Sequence, residues 1–150
     1  NATVSRLEVC RVLPVFLESM VISTGGTNPK HAVDNTASLT TSWWWYGPGN
    51  GPVSLRLDLG RNYLLYKFTI YIQSANTNIR HFLIRGWNST TSIPTFGSPG
   101  IVIQNMTNWS GGESQIFTWN RKVQVRYIEV SSLSKYFGVF NFQAYEWCTV

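Results

Sequence analysis

The chain has 150 residues, of which 13% are charged and 15% are aromatic. It is long enough to form one domain with its own core, and it is too aromatic and too poor in charge to be disordered. The net charge is +5, but the Lys and Arg residues are scattered. This argues against a nucleic-acid-binding arm and leaves a modest attraction to anionic glycans or lipids. We therefore expect a single domain over residues 1–150.

Short runs of alternating apolar and polar residues predict a series of β-strands. The clearest run, 53–59, places Val53, Leu55, Leu57 and Leu59 on one face and is expected to end at Gly60. Further strands are predicted at 66–73, 81–87, 101–104, 114–119, 123–130 and 139–147.

The run 123–130 changes phase, since its apolar residues shift from odd to even positions after residue 127. Either both faces of that strand are covered or a β-bulge resets the alternation. Clusters of Gly, Pro, Asn and Ser separate the predicted strands, and no stretch of ten residues has helical periodicity. The pattern predicts an all-β sandwich or barrel.

Two cysteines lie near opposite ends of the chain, at Cys10 and Cys148. Chain ends can lie side by side in an all-β domain, so a disulfide would close nearly the whole chain; the alternative is two buried thiols in a cytosolic protein. Glycosylation sequons occur four times, although chance alone would give about two. Together the sequons and the cysteines favour an extracellular protein, secreted or part of an ectodomain. The sequon asparagines are Asn1, Asn88, Asn105 and Asn108.

The most apolar early stretch, residues 7–22, contains Arg11, Pro14 and Glu18. A membrane-spanning helix needs about 20 mostly apolar residues, so no transmembrane segment is predicted in this chain. No signal peptide is visible, and we expect any membrane attachment to lie outside the chain.

Three segments carry a further pattern. The first is His-Ala-Val-Asp-Asn-Thr at 31–36, followed by Thr-Ser-Trp at 41–43. The others are Leu-Arg-Leu-Asp-Leu-Gly at 55–60 and Val-Arg-Tyr-Ile-Glu-Val at 125–130. Together they resemble the discoidin family, that is, the C-terminal domains of coagulation factors 5 and 8, and its relatives among fucose-binding lectins, bacterial carbohydrate-binding modules and laminin N-terminal domains. The resemblance implies an antiparallel jelly-roll β-sandwich of the galactose-binding-domain type, with ligands bound by loops at one end. The two terminal cysteines also match the family pattern.

The chain departs from the family pattern at two places. Asn35 stands where the family usually has Gly, and Asn tolerates the left-handed backbone angles that such a turn uses. The run Trp43-Trp44-Trp45 is unusual for discoidin domains and is similar to the laminin N-terminal branch.

The resemblance implies a structural calcium site, because relatives wrap a Ca²⁺ ion with this loop and with a Glu near the C-terminus. Hard oxygen ligands on a turning loop suit that ion. The simpler alternative is that Asp34 caps a turn and Glu146 pairs with a nearby Arg. The implied ligands are Lys30, Asp34, Thr36, Thr41 and Glu146.

Glycan sites combine an exposed aromatic platform with hydrogen-bonding donors. The candidates are Trp44 or Tyr46 as the platform, with Arg80, His81 and Arg85 as donors. The alternatives are that the tryptophans pack in the core and that His81 is a strand residue with a satisfied hydrogen bond. Lectin-like recognition of cell-surface or matrix glycans is the leading hypothesis.

Two other binding functions compete with the lectin hypothesis. The apolar stretch 136–140 and the tryptophan run suit a protein-adhesion or receptor-recognition surface, or contact with anionic membranes. An enzyme is not predicted, because His31 and His81 are the only histidines and no nucleophile, phosphate-loop or dinucleotide motif occurs. Among the acidic residues, Asp58 and Glu129 are expected to pair with Arg56 or Arg126.

Overall fold

The computed structural model describes residues 7–9, 15–24, 29–34, 44–46, 53–73, 80–88, 93–95, 99–109, 115–132 and 137–149. Most of these residues lie in eight strands, and two short 3₁₀ helices flank the second strand. The strands are β1 (Leu7–Val9), β2 (Val21–Thr24), β3 (Trp44–Tyr46), β4 (Val53–Gln73), β5 (Arg80–Trp87), β6 (Ile101–Trp109), β7 (Gln115–Ser132) and β8 (Phe137–Thr149), and the helices are η1 (Glu18–Met20) and η2 (Pro29–Val33).

The strands pair antiparallel throughout, and they form two layers that share the long strands β4 and β7. In the first layer the order is β2–β4–β7–β5–β6, with residues 53–58 of β4 opposite 127–132 of β7. In the second layer β8 lies between β4 and the short strands β1 and β3, and residues 63–72 of β4 lie opposite 115–125 of β7. This arrangement is the sandwich that the sequence predicts.

One hydrophobic core lies between the layers. Residues of the first layer such as Leu55 and Ile84 belong to the same buried cluster as Phe68 and Phe142 of the second. Phe82 and Phe117 meet across the layers with their ring centroids 6.0 Å apart. The inward residues follow the period of two that exposes alternate side chains to opposite faces of a strand.

The strand predicted to end at Gly60 continues to residue 73, so the prediction of two separate strands at 53–59 and 66–73 was wrong. The pairing register with β7 shifts between Asp58 and Tyr63, and Gly60 has a φ of 84°. A bulge of this kind bends a strand while pairing resumes beyond it. Here it passes β4 from the first layer to the second.

The two predicted strands at 114–119 and 123–130 are likewise one strand, β7. Its phase changes where the pairing register with β4 shifts, between Val125 and Tyr127. Both faces are also covered beyond that point, because Tyr127, Ile128, Glu129 and Val130 are all buried. β6 is also longer than the predicted 101–104, since it extends through Trp109.

The first and last strands lie side by side, with Glu8 opposite Cys148 and Val9 opposite Trp147. Residues that precede the two cysteines in sequence, Val9 and Trp147, therefore face each other. Cys10 lies outside the described residues, as does the side chain of Cys148, so the disulfide stays a prediction.

Candidate functional site

The side of the first layer that points away from the core carries a row of charged side chains. We call this row the outer face, and it consists of Arg56, Asp58, Arg85, Arg126 and Glu129. Arg56, Glu129 and Arg85 occupy directly opposite positions on β4, β7 and β5. Arg56 Nε donates to Glu129 Oε2 at 2.9 Å, and Arg85 Nη2 donates to Oε1 at 2.7 Å. Glu129 is only 2% exposed, and two guanidinium groups compensate its burial.

Asp58 and Arg126 form the second ion pair of the outer face. Arg126 Nε and Nη2 donate to the two Asp58 oxygens at 2.9 and 3.3 Å, and the Gly60 N–H donates to Asp58 Oδ1 at 2.8 Å. The hydrogen bond from Arg126, aided by that from Gly60, lowers the pKa of Asp58 although partial burial opposes the shift. Both acidic residues thus pair with arginines as the sequence predicts.

Two of the predicted glycan donors, His81 and Arg85, lie on one side of β5, with Phe82 and Ile84 turned into the core. They are four residues apart, about 13 Å along a strand. His81 Nε2 lies 3.1 Å from Asn105 Oδ1 on β6, which confirms the alternative of a hydrogen-bonded strand histidine. The Arg85 guanidinium is held by Glu129 and lies 5.5 Å over the Trp87 ring.

The remaining predicted glycan residues are described by their backbones alone. Trp44 and Tyr46 lie in β3, opposite Val139 and Phe137 of β8, and Arg80 begins β5 opposite Trp109. Their convergence with His81 on one site stays a prediction. In the proposed apolar stretch 136–140, Val139 is 1% exposed and belongs to the core.

A cavity of about 470 Å³ opens near the end of β8, and we call it the acidic cavity. Apolar side chains line it together with four charged side chains and one tyrosine. Its lining consists of Val15, Phe16, Leu17, Glu18, Met20, Val33, Asp34, Arg61, Tyr63 and Glu146.

The wall formed by residues 15–17 is fixed to β8 by hydrogen bonds. The buried Gln143 side chain accepts from the Phe16 N–H and donates to the Phe16 carbonyl, both at 3.1 Å. The Val15 N–H also donates to the Ala144 carbonyl at 2.9 Å, and the rings of Phe16 and Phe142 lie 4.8 Å apart. An amide side chain and an aromatic pair therefore anchor this wall of the cavity to β8.

Arg61 lies within the bulge of β4 and lines the cavity. Its guanidinium carbon is 3.7 Å from the centroid of the Tyr63 ring, and Nη2 is 3.6 Å from Glu146 Oε1. The Arg61 side chain is 59% exposed. The alternative expectation that Glu146 pairs with a nearby Arg is therefore confirmed.

Two of the predicted calcium ligands, Asp34 and Glu146, line this cavity. Lys30 is exposed in η2, and Thr36 and Thr41 lie outside the described residues. Within the described residues, no group of three His, Cys, Asp or Glu side chains is placed to hold a metal ion. The two carboxylates have suitable chemistry for Ca²⁺ but do not make a site by themselves, and calcium stays a prediction.

Sequence reasoning missed the roles of Glu18, Arg61 and Tyr63. The alternation of apolar and polar residues breaks at Gly60-Arg61-Asn62. This break could have indicated the position of Arg61, because a bulge turns side chains away from the regular faces of a strand. Glu18 lies in η1, too short a helix for a periodic pattern.

Comparison with protein-family models and with curated proteins found no match. Solved structures, in contrast, share the fold over nearly the whole chain. A fucose-binding module of Streptococcus pneumoniae is similar with a TM-score of 0.62 and 15% identity, covering 89% of this chain and 98% of the module. A chitosan-binding module of a Paenibacillus chitosanase/glucanase has a TM-score of 0.61 and 17% identity, with 89% and 99% covered.

A family 32 carbohydrate-binding module of C. perfringens NanJ, solved in complex with galactose, has a TM-score of 0.56 at 16% identity, covering 83% of this chain and 93% of the module. At such identities the similarity establishes the fold. The chain is an antiparallel jelly-roll β-sandwich of the galactose-binding-domain type, as predicted. The laminin-like interpretation of the tryptophan run stays a prediction. No helix in the described part of the chain is long and apolar enough to cross a membrane.

Proposed function

We propose that this chain is a non-catalytic, glycan-binding module that works outside the cell. The observation that carries the proposal is the jelly-roll fold, which the chain shares over most of its length with modules described as binding fucose, chitosan and galactose. Fold alone does not fix a ligand. The local chemistry must therefore supply the rest of the argument.

The local chemistry suits recognition of hydroxylated rings. His81 presents a polar ring on β5, and the guanidinium of Arg85 is held by Glu129. A donor that is already fixed loses little entropy when a ligand binds. Trp44, Tyr46 and Arg80 complete the proposed site as an aromatic platform and a further donor.

An extracellular location fits the sequons. The side chains of Asn88 and Asn105 are exposed, as attachment of an N-linked glycan requires. The proposed Cys10–Cys148 disulfide would belong to the same oxidising environment.

A protein-binding role is the second candidate. Ile101 and Val102 of β6 are 36% and 49% exposed. Among the described strands β6 stands at the end of the pairing order, so its outer edge is available to another chain. An exposed apolar pair on an edge strand suits an adhesion contact.

The test is a glycan array screened with the multimerised domain, with calcium and again with a chelator. We expect a defined set of hits that Trp44→Ala and Arg80→Ala abolish. Ile116→Ser, which removes an exposed residue of β7 outside the proposed site, is the matched control and should keep the hits.

Loss of the hits on chelation would support the calcium proposal, whereas hits that survive would show that glycan binding does not need the ion. A blank array, with the protein shown to be folded, contradicts the lectin proposal and favours the protein partner.

A further inference from the structure

Negative charge is concentrated at the acidic cavity. The chain has seven acidic residues against twelve basic ones, yet three of the seven, Glu18, Asp34 and Glu146, line this one cavity. Arg61 is the only basic residue among the lining side chains that the structure describes. The local negative potential of these carboxylates attracts cations to the cavity, although the net charge of the whole chain is positive.

Arg61 shows how the cavity holds a cation. Its guanidinium lies against the face of Tyr63 and beside the carboxylate of Glu146. The 3.6 Å separation from Glu146 exceeds the length of a charge-assisted hydrogen bond, and the side chain is largely exposed. Such a pair contributes little to stability, so a ligand cation can displace it.

The apolar lining and the volume of the cavity suit a ligand larger than a single ion. Among its apolar lining residues, Phe16 and Val33 are buried and Leu17 is 54% exposed. The volume of about 470 Å³ falls within the range typical of small-molecule sites. An occupant that presents a flat C–H face as well as a positive charge would match both parts of the lining.

We propose that the acidic cavity binds a protonated amino sugar. The amine takes the place of Arg61, against Tyr63 and beside the carboxylate of Glu146, while Asp34 and Glu18 elsewhere in the lining add negative potential. The C–H face of the sugar ring packs on the apolar residues. The preference for a cation rests on the cavity alone, whereas the choice of a sugar rests on the proposed function.

The experiment titrates the purified chain with a glucosamine tetramer and with its fully N-acetylated counterpart, at low salt and at pH about 6, where an amine is protonated and most carboxylates are ionised. Isothermal calorimetry should show the acetylated tetramer binding at least about tenfold more weakly. That factor is typical of the loss of one charge-assisted hydrogen bond. Added salt should weaken binding of the glucosamine tetramer.

Single variants should change the affinity for the glucosamine tetramer in opposite directions. Glu146→Gln should weaken binding of the glucosamine tetramer about tenfold, and Glu18→Gln, at an exposed position where misfolding is not expected, should weaken it by a smaller factor. Arg61→Gln should tighten binding because it removes the competing cation. Arg121→Gln, which removes the same charge from an exposed arginine outside the lining, is the matched control and should change affinity less.

Equal affinity for the two tetramers, or weaker binding by Arg61→Gln, would overturn the proposal. Calcium chloride titrated alone tests the metal alternative, and competition between calcium and the tetramer for Glu146 would reassign the cavity to the ion. Equal binding of cyclohexylamine, a protonated amine on a ring without hydroxyl groups, would refute the sugar assignment. Array hits that persist in Glu18→Gln and Glu146→Gln but are lost in Trp44→Ala would keep the proposed glycan function and its site, and would remove the amino-sugar site from this cavity.

Discussion

The charged residues on the outer face show which ion pairs can be predicted from the alternation of apolar and polar residues in the sequence, and which cannot. Arg56 and Asp58 lie on the polar side of a strand whose apolar side is plain in the sequence. Pairing of Glu129 with arginines was therefore predictable, but its double contact was not. The second arginine, Arg85, comes from β5, and only the strand order places β5 next to β7.

The ion pair of Asp58 makes stability depend on acid. Because Arg126 lowers the pKa of Asp58, the contribution of this carboxylate is complete above its unfolded pKa of about 3.9 and is lost as the pH falls through the lower folded value. Asp58→Asn should therefore lower the free energy of unfolding at pH 7 and reduce its decline between pH about 5 and 2. Urea denaturation across that range measures both effects.

Arg126→Gln serves as the partner variant and should reproduce the reduced acid dependence. Wild type and Asp58→Asn that lose stability in parallel on acidification would show that the pair contributes nothing to it.

At the level of elements, the alternation of apolar and polar residues predicted the strands that have one buried face. It missed the strands that are very short or largely exposed. β5 and the second half of β4 alternate cleanly because Phe82, Ile84, Ile70 and Ile72 face the core. The second half of β6, residues 105–109, includes exposed residues, and β6 lies at the end of the pairing order of the described strands. The alternation of apolar and polar residues is therefore weak there. β1, β2 and β3 span three or four residues each, too few for a period to be recognised.

The bulge in β4 depends on a glycine at one position. A Cβ on Gly60 would meet nothing within 4 Å, so the obstacle to substitution is the positive φ alone. Gly60→Ala should lower the free energy of unfolding by about 1 kcal/mol. Gly60→Asn should cost less, because Asn adopts the left-handed region more readily.

Equilibrium denaturation of both variants separates this backbone effect from packing. Equal losses for Ala and Asn would contradict the explanation, and so would no loss for Ala.

For the whole molecule, the acidic cavity was the least predictable feature. No local sequence pattern connects the residues that line it, which are 15–18, 20, 33–34, 61, 63 and 146. The resemblance to discoidin relatives pointed to Asp34 and Glu146, which do share the cavity, but gave no indication of the arginine beside them. Long-range strand pairing, above all of β4 with β8, brings these parts together.

Pairing of β1 with β8 leads to a prediction about the cysteines. If Cys10 and Cys148 are joined, the bond closes most of the chain and should contribute about 5 kcal/mol by the loop-entropy argument. Reduction should then lower Tm by about 10–20 °C. Scanning calorimetry with and without reductant measures this shift, and intact mass after thiol alkylation reports the cysteine state.

The double variant Cys10→Ser/Cys148→Ser should melt at the reduced Tm and show no response to reductant. Two thiols that alkylate in the native protein without reduction would refute the disulfide.

The pairing of the end strands also sets how the domain responds to pulling. Leu7 lies opposite Thr149, so tension applied through both ends of the chain acts across the β1–β8 ladder and opens its residue pairs one at a time. Strands loaded in this way separate at low force, because each hydrogen bond bears the load alone. A bond from Cys10 to Cys148 would halt the peeling after the three pairs of β1, and the rest of the sandwich would carry no load. A domain attached at both ends to a matrix or a cell surface would then extend by only a few residues before it stiffened.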